Sequence, residues 1–151
     1  MFYGKHSTFS NFHPAQFSVN GITYSCSEQF YQSTKAKTFG DTSTASEIMA
    51  TDDPVTMMRL GKQVSGFHEE QWEKTSREVM HQANLAKFTN NPAMLAELKA
   101  TENKAMVECN KYDKYWGCGL PITSKSAGIK ENWIGTNYMG ATLEIVREQL
   151  S

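Results

Sequence analysis

The sequence lacks the patterns that mark several large functional classes. Its three cysteines, Cys26, Cys109 and Cys118, are odd in number, and none has a partner at zinc-site spacing. Disulfide scaffolds and structural zinc folds are therefore excluded, and buried reduced thiols in a reducing compartment are expected. The four histidines, His6, His13, His68 and His81, form no i, i+4 pair, and no His-Glu-x-x-His occurs. No metal is expected. Neither a Gly-x-Gly-x-x-Gly nor a Walker-type loop is present, which removes the usual nucleotide cradles. No cofactor is called for. Fifteen basic residues stand against sixteen acidic ones, a net charge of −1, with no basic run. That balance points away from a broad nucleic-acid surface but leaves room for a local phosphate site. No apolar run approaches membrane-spanning length, and no charged segment followed by an apolar one opens the chain. A soluble, cytoplasmic protein with no membrane partner is expected.

What the chain does have is length and aromatic rings. A sequence of 151 residues suffices for one domain with its own core. Three tryptophans and six tyrosines are notable in so small a chain; most are expected in core or rim, and a planar ligand would use some of them. One stretch organises the rest, Tyr24 to Lys37. Read as a helix, it places Glu28, Tyr31, Gln32 and Lys35 at i, i+3, i+4 and i+7, on a single stripe. An ordinary surface helix reserves its coherent stripe for apolar side chains; here the stripe is polar and partly aromatic. Two explanations stand open. Ser25 and Glu28 form a Ser-x-x-Glu capping box, or the stripe walls a pocket with Glu28 at the positive end of the helix.

Around that stretch, Phe2-Tyr3-Gly4 reads as a short strand, followed by a polar loop through Ser10-Asn11-Phe12. Phe17–Val19 and Ile22–Tyr24 flank Asn20-Gly21, a strong hairpin signal, and the organising helix ends near Phe39-Gly40. A short helix is expected over Thr44–Ala50. Asp53-Pro54 opens another that runs through Val55, Met58 and Leu60 to Gly61. The longest helical pattern spans Glu69–Phe88, with an acidic first turn and Trp72, Val79, Ala83 and Ala86 at helical spacing. Asn90-Asn91-Pro92 interrupts it, and a further short helix covers Pro92–Ala100. Ala105–Asn110 reads as a strand, residues 110–132 as loops, and Asn137–Leu150 as a last helix presenting Met139, Leu143, Val146 and Leu150. The expected fold class is α+β, mainly helical, with several helices packed on a small sheet or hairpin.

The loop Asp113-Lys114-Tyr115-Trp116-Gly117-Cys118-Gly119 is the second candidate region. A carboxylate, an indole and two glycines suit close approach to a ligand better than they suit a core. The competing readings are a turn-capping Asp113 and a Trp116 that merely anchors the loop. Two carboxylates, several aromatic faces and nearby cations fit cleavage of a bond to an anomeric carbon. Such a reaction passes through an oxocarbenium-like cation, stabilised by one carboxylate while another group handles the proton or the water.

These blocks resemble those of the NADAR, or YbiA-like, domain family. Phe2-Tyr3-Gly4 and Ser10-Asn11-Phe12 resemble its opening, and Ser27-Glu28-Gln29-Phe30-Tyr31-Gln32 resembles its Ser-Glu-His-Tyr-Phe-Gln helix. Leu60-Gly61, Trp72 with Met80, and Ala86-Lys87-Phe88 resemble successive middle blocks. Asp113-x-x-Trp116-Gly117-x-Gly119 and Gly135-x-Asn137-x-x-Gly140 resemble its C-terminal signatures, so the likeness runs nearly end to end over residues 1–151. Gln29 departs from the usual His beside the key Glu, and Ser33-Thr34 from the commoner Ala-Gln. The resemblance implies one domain and an N-glycosidase without metal or cofactor, with Glu28, Trp72 and Asp113 as its catalytic set. The implied substrates are ribosylamino-pyrimidine phosphates of riboflavin synthesis or ADP-ribose attached to guanine, the latter making ADP-ribosylated nucleic acid a partner. On this reading Glu28 sits under the anomeric carbon, and Asp113 holds a ribose hydroxyl or acts as partner acid/base in a partly dry pocket. Trp72 or Trp116 stacks on the leaving base, Tyr31 walls the pocket, and Lys35 with Lys87 or Arg77 meets phosphate. Asn11, Gly117, Gly119 and Asn137 complete the substrate-binding set. The alternative is a non-catalytic module that binds ADP-ribose or a related nucleotide.

Overall fold

A computed structural model describes all residues, 1–151. The backbone groups into two compact units, Pro14–Asn91, and Met1–His13 with Pro92–Ser151.

The Pro14–Asn91 unit begins with the hairpin. Strand β1 (Phe17–Val19) pairs antiparallel with β2 (Ile22–Tyr24), Phe17 opposite Tyr24 and Val19 opposite Ile22. The link is Asn20-Gly21, with φ of 51° and 79°, the double left-handed turn that this dipeptide favours. The buried rings of Phe17 and Tyr24 stack at 5.7 Å, and Phe30 meets Tyr24 edge-on at 5.0 Å. Those contacts fix how the chain enters α1 (Ser27–Thr38). Helices α2 (Thr42–Met49), α3 (Pro54–Gly61) and α4 (Glu69–Asn90) follow, and all three pack on α1. Helix α1 is thus the hub, and the apolar floor beneath it is Cys26, Ala36, Ala45, Ile48, Met57 and Val64.

Local chemistry explains the helix ends. Asp53 accepts from the Val55 and Thr56 amides and Pro54 takes the first helical position, as the sequence suggests. Helix α3 runs to Gly61 as expected, burying Met57 and packing Leu60 on the core while Val55 lies exposed. Asp41 caps α2 through Thr44 and also accepts from the Ser65 amide at 2.9 Å. His68 caps α4, its Nδ1 accepting from the Gln71 amide. Gly40 follows the end of α1, where a stop was expected.

In the other unit, α5 (Pro92–Lys99) and α6 (Tyr138–Gln149) are joined by loops with two short 3-10 turns, Lys125–Gly128 and Lys130–Asn132. The apolar face of α6 buries Met139, Leu143 and Val146. The strands expected at Phe2–Gly4 and Ala105–Asn110 do not form. Phe2 instead makes a single parallel bridge, its N–H donating to the Val107 carbonyl at 2.8 Å and its carbonyl accepting from Cys109 at 2.9 Å. One residue on one side of the bridge is too little for a strand. The sheet is therefore the hairpin alone, and the α+β, mainly helical class stands on six helices. All three cysteines are free and buried. No helix is long and apolar enough to cross a membrane.

Two stability outcomes follow. Ile48, fully buried under α1, should cost about 3 kcal/mol when cut to alanine, read by denaturant unfolding. Bonds from the Ser65 amide, and then from the Thr44 hydroxyl and amide, hold the Asp41 carboxyl at about 2, below its usual 3.8. A depressed carboxyl contributes stability above its unfolded pKa and loses it as pH falls through the folded one. Asp41→Asn should therefore melt below the wild type at pH 6, and the gap should narrow from about pH 4 to pH 2.

Candidate active site

Helix α1 has Cys26 as N-cap with no side-chain cap bond, so Glu28 falls in the first turn, where the helix dipole favours a carboxylate. The Ser25–Glu28 capping box does not form. Gln29 takes that duty: its Oε1 accepts from the Ser25 amide at 2.7 Å, and its Nε2 donates to the carbonyls of Ile48 and Thr51, both at 3.1 Å. The residue that departs from the usual His therefore ties the hairpin, α1 and the end of α2 together.

Glu28 is 6% exposed. Its Oε1 accepts from Gln32 Nε2, one turn on, at 2.8 Å. Tyr31 and Trp72 form an aromatic wall on α1 and α4, with centroids 5.3 Å apart and the indole Nε1 donating to the Tyr31 hydroxyl at 2.9 Å. Phe39 meets the same indole at 6.3 Å. Trp72 is buried and anchored through its N–H, so it is held rigidly.

Lys35 is half-buried at the far end of the stripe, with Nζ 5.4 Å from the Phe67 ring centroid. Burial lowers its pKa, the Glu28 charge pulls it back up, and Lys62 at the end of α3 pushes it down again. The carboxylate, the amide and the first cation of the stripe thus belong to one electrostatic neighbourhood. The two other proposed cations differ. Lys87 is wholly buried with Nζ 5.1 Å from the Phe88 ring centroid, and Arg77 is exposed. Lys62 was not singled out in the sequence; only the fold brings it near Lys35.

The remaining expected site residues belong to the other unit. Asp113 is half-buried, and its Oδ1 accepts from the amides of Tyr115 and Trp116 at 2.9 and 2.8 Å. It is a turn-capping residue, and Oδ2 takes no part in that turn. Trp116 is half-buried and packs edge-on against Tyr115 at 4.9 Å, which meets Tyr138 at 4.8 Å. Gly117 has no room for a side chain, since a Cβ would come within 2.8 Å of the Asp113 carbonyl. Gly119 has φ +76°, a region that glycine enters at little cost. Asn137, expected to meet substrate, is spent on the backbone. Its Oδ1 accepts from the Glu108 amide at 3.0 Å and its Nδ2 donates to the Met106 carbonyl at 2.9 Å. It is a clamp that fixes the start of α6. Asn11 is buried with its Nδ2 3.2 Å from the Met139 sulfur.

The C-terminal motifs knit together through the backbone. The amides of Asn137, Tyr138 and Met139 donate to the carbonyls of Gly117, Tyr115 and Trp116, so the Asp113 loop is laced to the head of α6. The family model for the NADAR domain matches residues 1–151. The chain belongs to the NADAR domain family. Among its relatives is the N-glycosidase R617 of Acanthamoeba polyphaga mimivirus, 33% identical over 93% of this chain and 86% of that protein. Another is the N-glycosidase YbiA of Escherichia coli, 32% identical over 95% of this chain and 81% of that protein. Protein irg-1 of Caenorhabditis elegans is 32% identical over 99% of this chain and 78% of its own length. The NMR structure of E. coli YbiA superposes with a TM-score of 0.80 over 99% of this chain and 82% of that one. A NADAR fold built on α1 depends on Gln29 here. Gln29→Ala, which strips the buried Ile48 carbonyl and the part-buried Thr51 carbonyl of a donor, should lower stability by roughly 1–3 kcal/mol in denaturant melts.

Proposed function

We propose that this protein is a hydrolase that breaks the C1′–N bond between ribose and a base. The observation that carries the reading is the buried Glu28 carboxylate, fixed by Gln32 beside the Tyr31–Trp72 wall. Support comes from the relatives called N-glycosidases and from a Vibrio vulnificus riboflavin biosynthesis protein, 27% identical over 96% of this chain but only 36% of its own length.

The chemistry follows from charge. As the C1′–N bond lengthens, positive charge builds on C1′ and the ring oxygen, and the ionised carboxylate below stabilises it. A buried carboxylate does this more strongly than an exposed one, because less water screens it. The bonding pair leaves with the base nitrogen, which takes a proton. Water oxygen bonds to C1′ and gives its proton up. Asp113 is the second carboxylate of the reading: with Oδ1 held by two amides, Oδ2 is the atom left to hold a ribose hydroxyl or move a proton. Tyr31 and Trp72 shape the wall against which the sugar or base lies. Lys35, seven residues and so about 10 Å along the axis from Glu28, reaches back toward a phosphate through its flexible stem.

The substrate class within this reading is a ribosylamino-pyrimidine phosphate or an ADP-ribosylated guanine base. The near-neutral charge favours the small molecule over tight duplex binding. A flipped or single-stranded base needs few contacts. Three buried free thiols suit a reducing, cytoplasmic setting.

A panel of ribosyl-N substrates, read by release of ribose phosphate or ADP-ribose, tests the reading. Glu28→Gln should melt within a few degrees of wild type and lose roughly a hundredfold or more in kcat. Near-wild-type turnover in that variant would return Glu28 to a structural role. Asp113→Asn keeps an acceptor for the Tyr115 and Trp116 amides while removing the charge, so a loss of about tenfold or more would be chemical in origin. Tight ADP-ribose binding by calorimetry with no release from any substrate would mark a binding module instead.

A further inference from the structure

Gln32 is 6% exposed, and its two amide atoms face different surroundings. Nε2 donates to Glu28 Oε1 at 2.8 Å, while the buried Oε1 has no hydrogen-bond partner. An ionised carboxylate only accepts, so the amide must present its N–H there. That choice turns Oε1 onto the last residue of α3. A Cβ built on Gly61 would overlap Gln32 Oε1 and Cδ, and would come within 3.2 Å of Nε2. The φ of Gly61 is not positive, so backbone conformation does not demand glycine at this position. Space does. An unpartnered buried carbonyl costs about 1–3 kcal/mol, and a glycine pressed against it marks a place where the amide has been kept despite that cost.

We propose that Gln32 is the positioning residue of Glu28, holding its carboxylate in the reactive orientation, and that Gly61 is glycine so that the Gln32 amide can lie where it does. The proposal rests on Glu28 acting beneath the anomeric carbon. It adds two residues on different helices, one acting through the other. Misplacing a reacting group by about an ångström costs between tenfold and a hundredfold in rate. Because Gln32 orients a group that acts in the transition state, its loss should fall on kcat rather than KM.

The test is steady-state kinetics on a ribosylamino-pyrimidine phosphate or an ADP-ribosylated guanine nucleoside, whichever the wild type hydrolyses, with Glu28→Gln as reference. Gln32→Ala should lower kcat at least about tenfold with KM changed less than about threefold. Gly61→Ala, which crowds the amide, should do the same in the wild type. In the Gln32→Ala background, where the crowded atoms are gone, Gly61→Ala should change kcat less than about twofold. Melting curves on every variant confirm that folded protein is compared. Equal losses from Gly61→Ala in both backgrounds, or a Gln32→Ala effect confined to KM, would overturn the proposal while a dead Glu28→Gln left the glycosidase reading standing. Full turnover in Glu28→Gln would remove that reading itself, and this proposal with it.

Discussion

A helix whose polar side chains are buried sets the terms for the Pro14–Asn91 unit. Ser27, Glu28, Gln29, Gln32 and Ser33 of α1 all lie out of solvent, and each polar atom removed from water needs a partner or carries a penalty. Gln29 meets the demand in full: its Oε1 accepts from the amide and the hydroxyl of Ser25, and its Nε2 donates to two backbone carbonyls. Ser33 turns its hydroxyl back onto the Phe30 carbonyl. At Ser27 and Gln32 the demand is not met, for Ser27 Oγ and Gln32 Oε1 remain without a partner. The residues that carry these orphans flank Glu28 in sequence, and Gln32 bonds to it through Nε2. Polar cost is thus concentrated in the first turns of α1 rather than spread along it. Such concentration is what a preorganised charged group requires, since the dipoles around it are fixed before any substrate arrives.

The other unit solves a different problem, which is to hold a short polar loop still. Three features share the work: Asp113 gathers the Tyr115 and Trp116 amides, Gly117 lets backbone pass close, and Asn137 bridges Met106 and Glu108. Asn137 does so from the left-handed region, at φ 51°, which asparagine tolerates better than most residues. A loop tied at this many points keeps its carboxylate and indole in a defined arrangement without a strand to support them.

Elements governed by neighbours in sequence could be read before the fold was known. Asn20-Gly21 specified its hairpin, Asp53-Pro54 its helix start and Phe39-Gly40 a helix end, because in each the deciding contacts lie within four residues. The apolar spacing of Met139, Leu143 and Val146 gave α6 its buried face. The errors have a common origin in contacts that sequence distance hides. The capping partner of Ser25 is Gln29 rather than Glu28, because the helix starts two residues after Ser25 instead of next to it. Ala105–Asn110 looked like a strand, but its partner is the single residue Phe2 from the far end of the chain. The clamp role of Asn137 is hidden in the sequence because its partners, Met106 and Glu108, are some thirty residues away. The polar stripe itself was visible. What it was packed against, Gly61 above all, was not.

The electrostatics of that stripe bear on which ligands it can hold. Lys35 is the cation nearest the carboxylate along α1, and its half-burial works against its charge. Glu28 offsets part of that cost and Lys62 adds to it, so α1 carries a carboxylate and a half-buried cation, with a second cation at the end of α3. A ligand with no anion would leave the repulsion between Lys35 and Lys62 unrelieved. One with a phosphate neutralises them and restores to Lys35 what desolvation removed. The same ligand must present an electron-poor centre to Glu28, since a second anion there would meet a buried negative charge at close range. A sugar that develops positive charge at one end and carries phosphate at the other satisfies both conditions along a single helix face. Neutral nucleosides satisfy only the condition at Glu28, and inorganic phosphate only the one at the lysines.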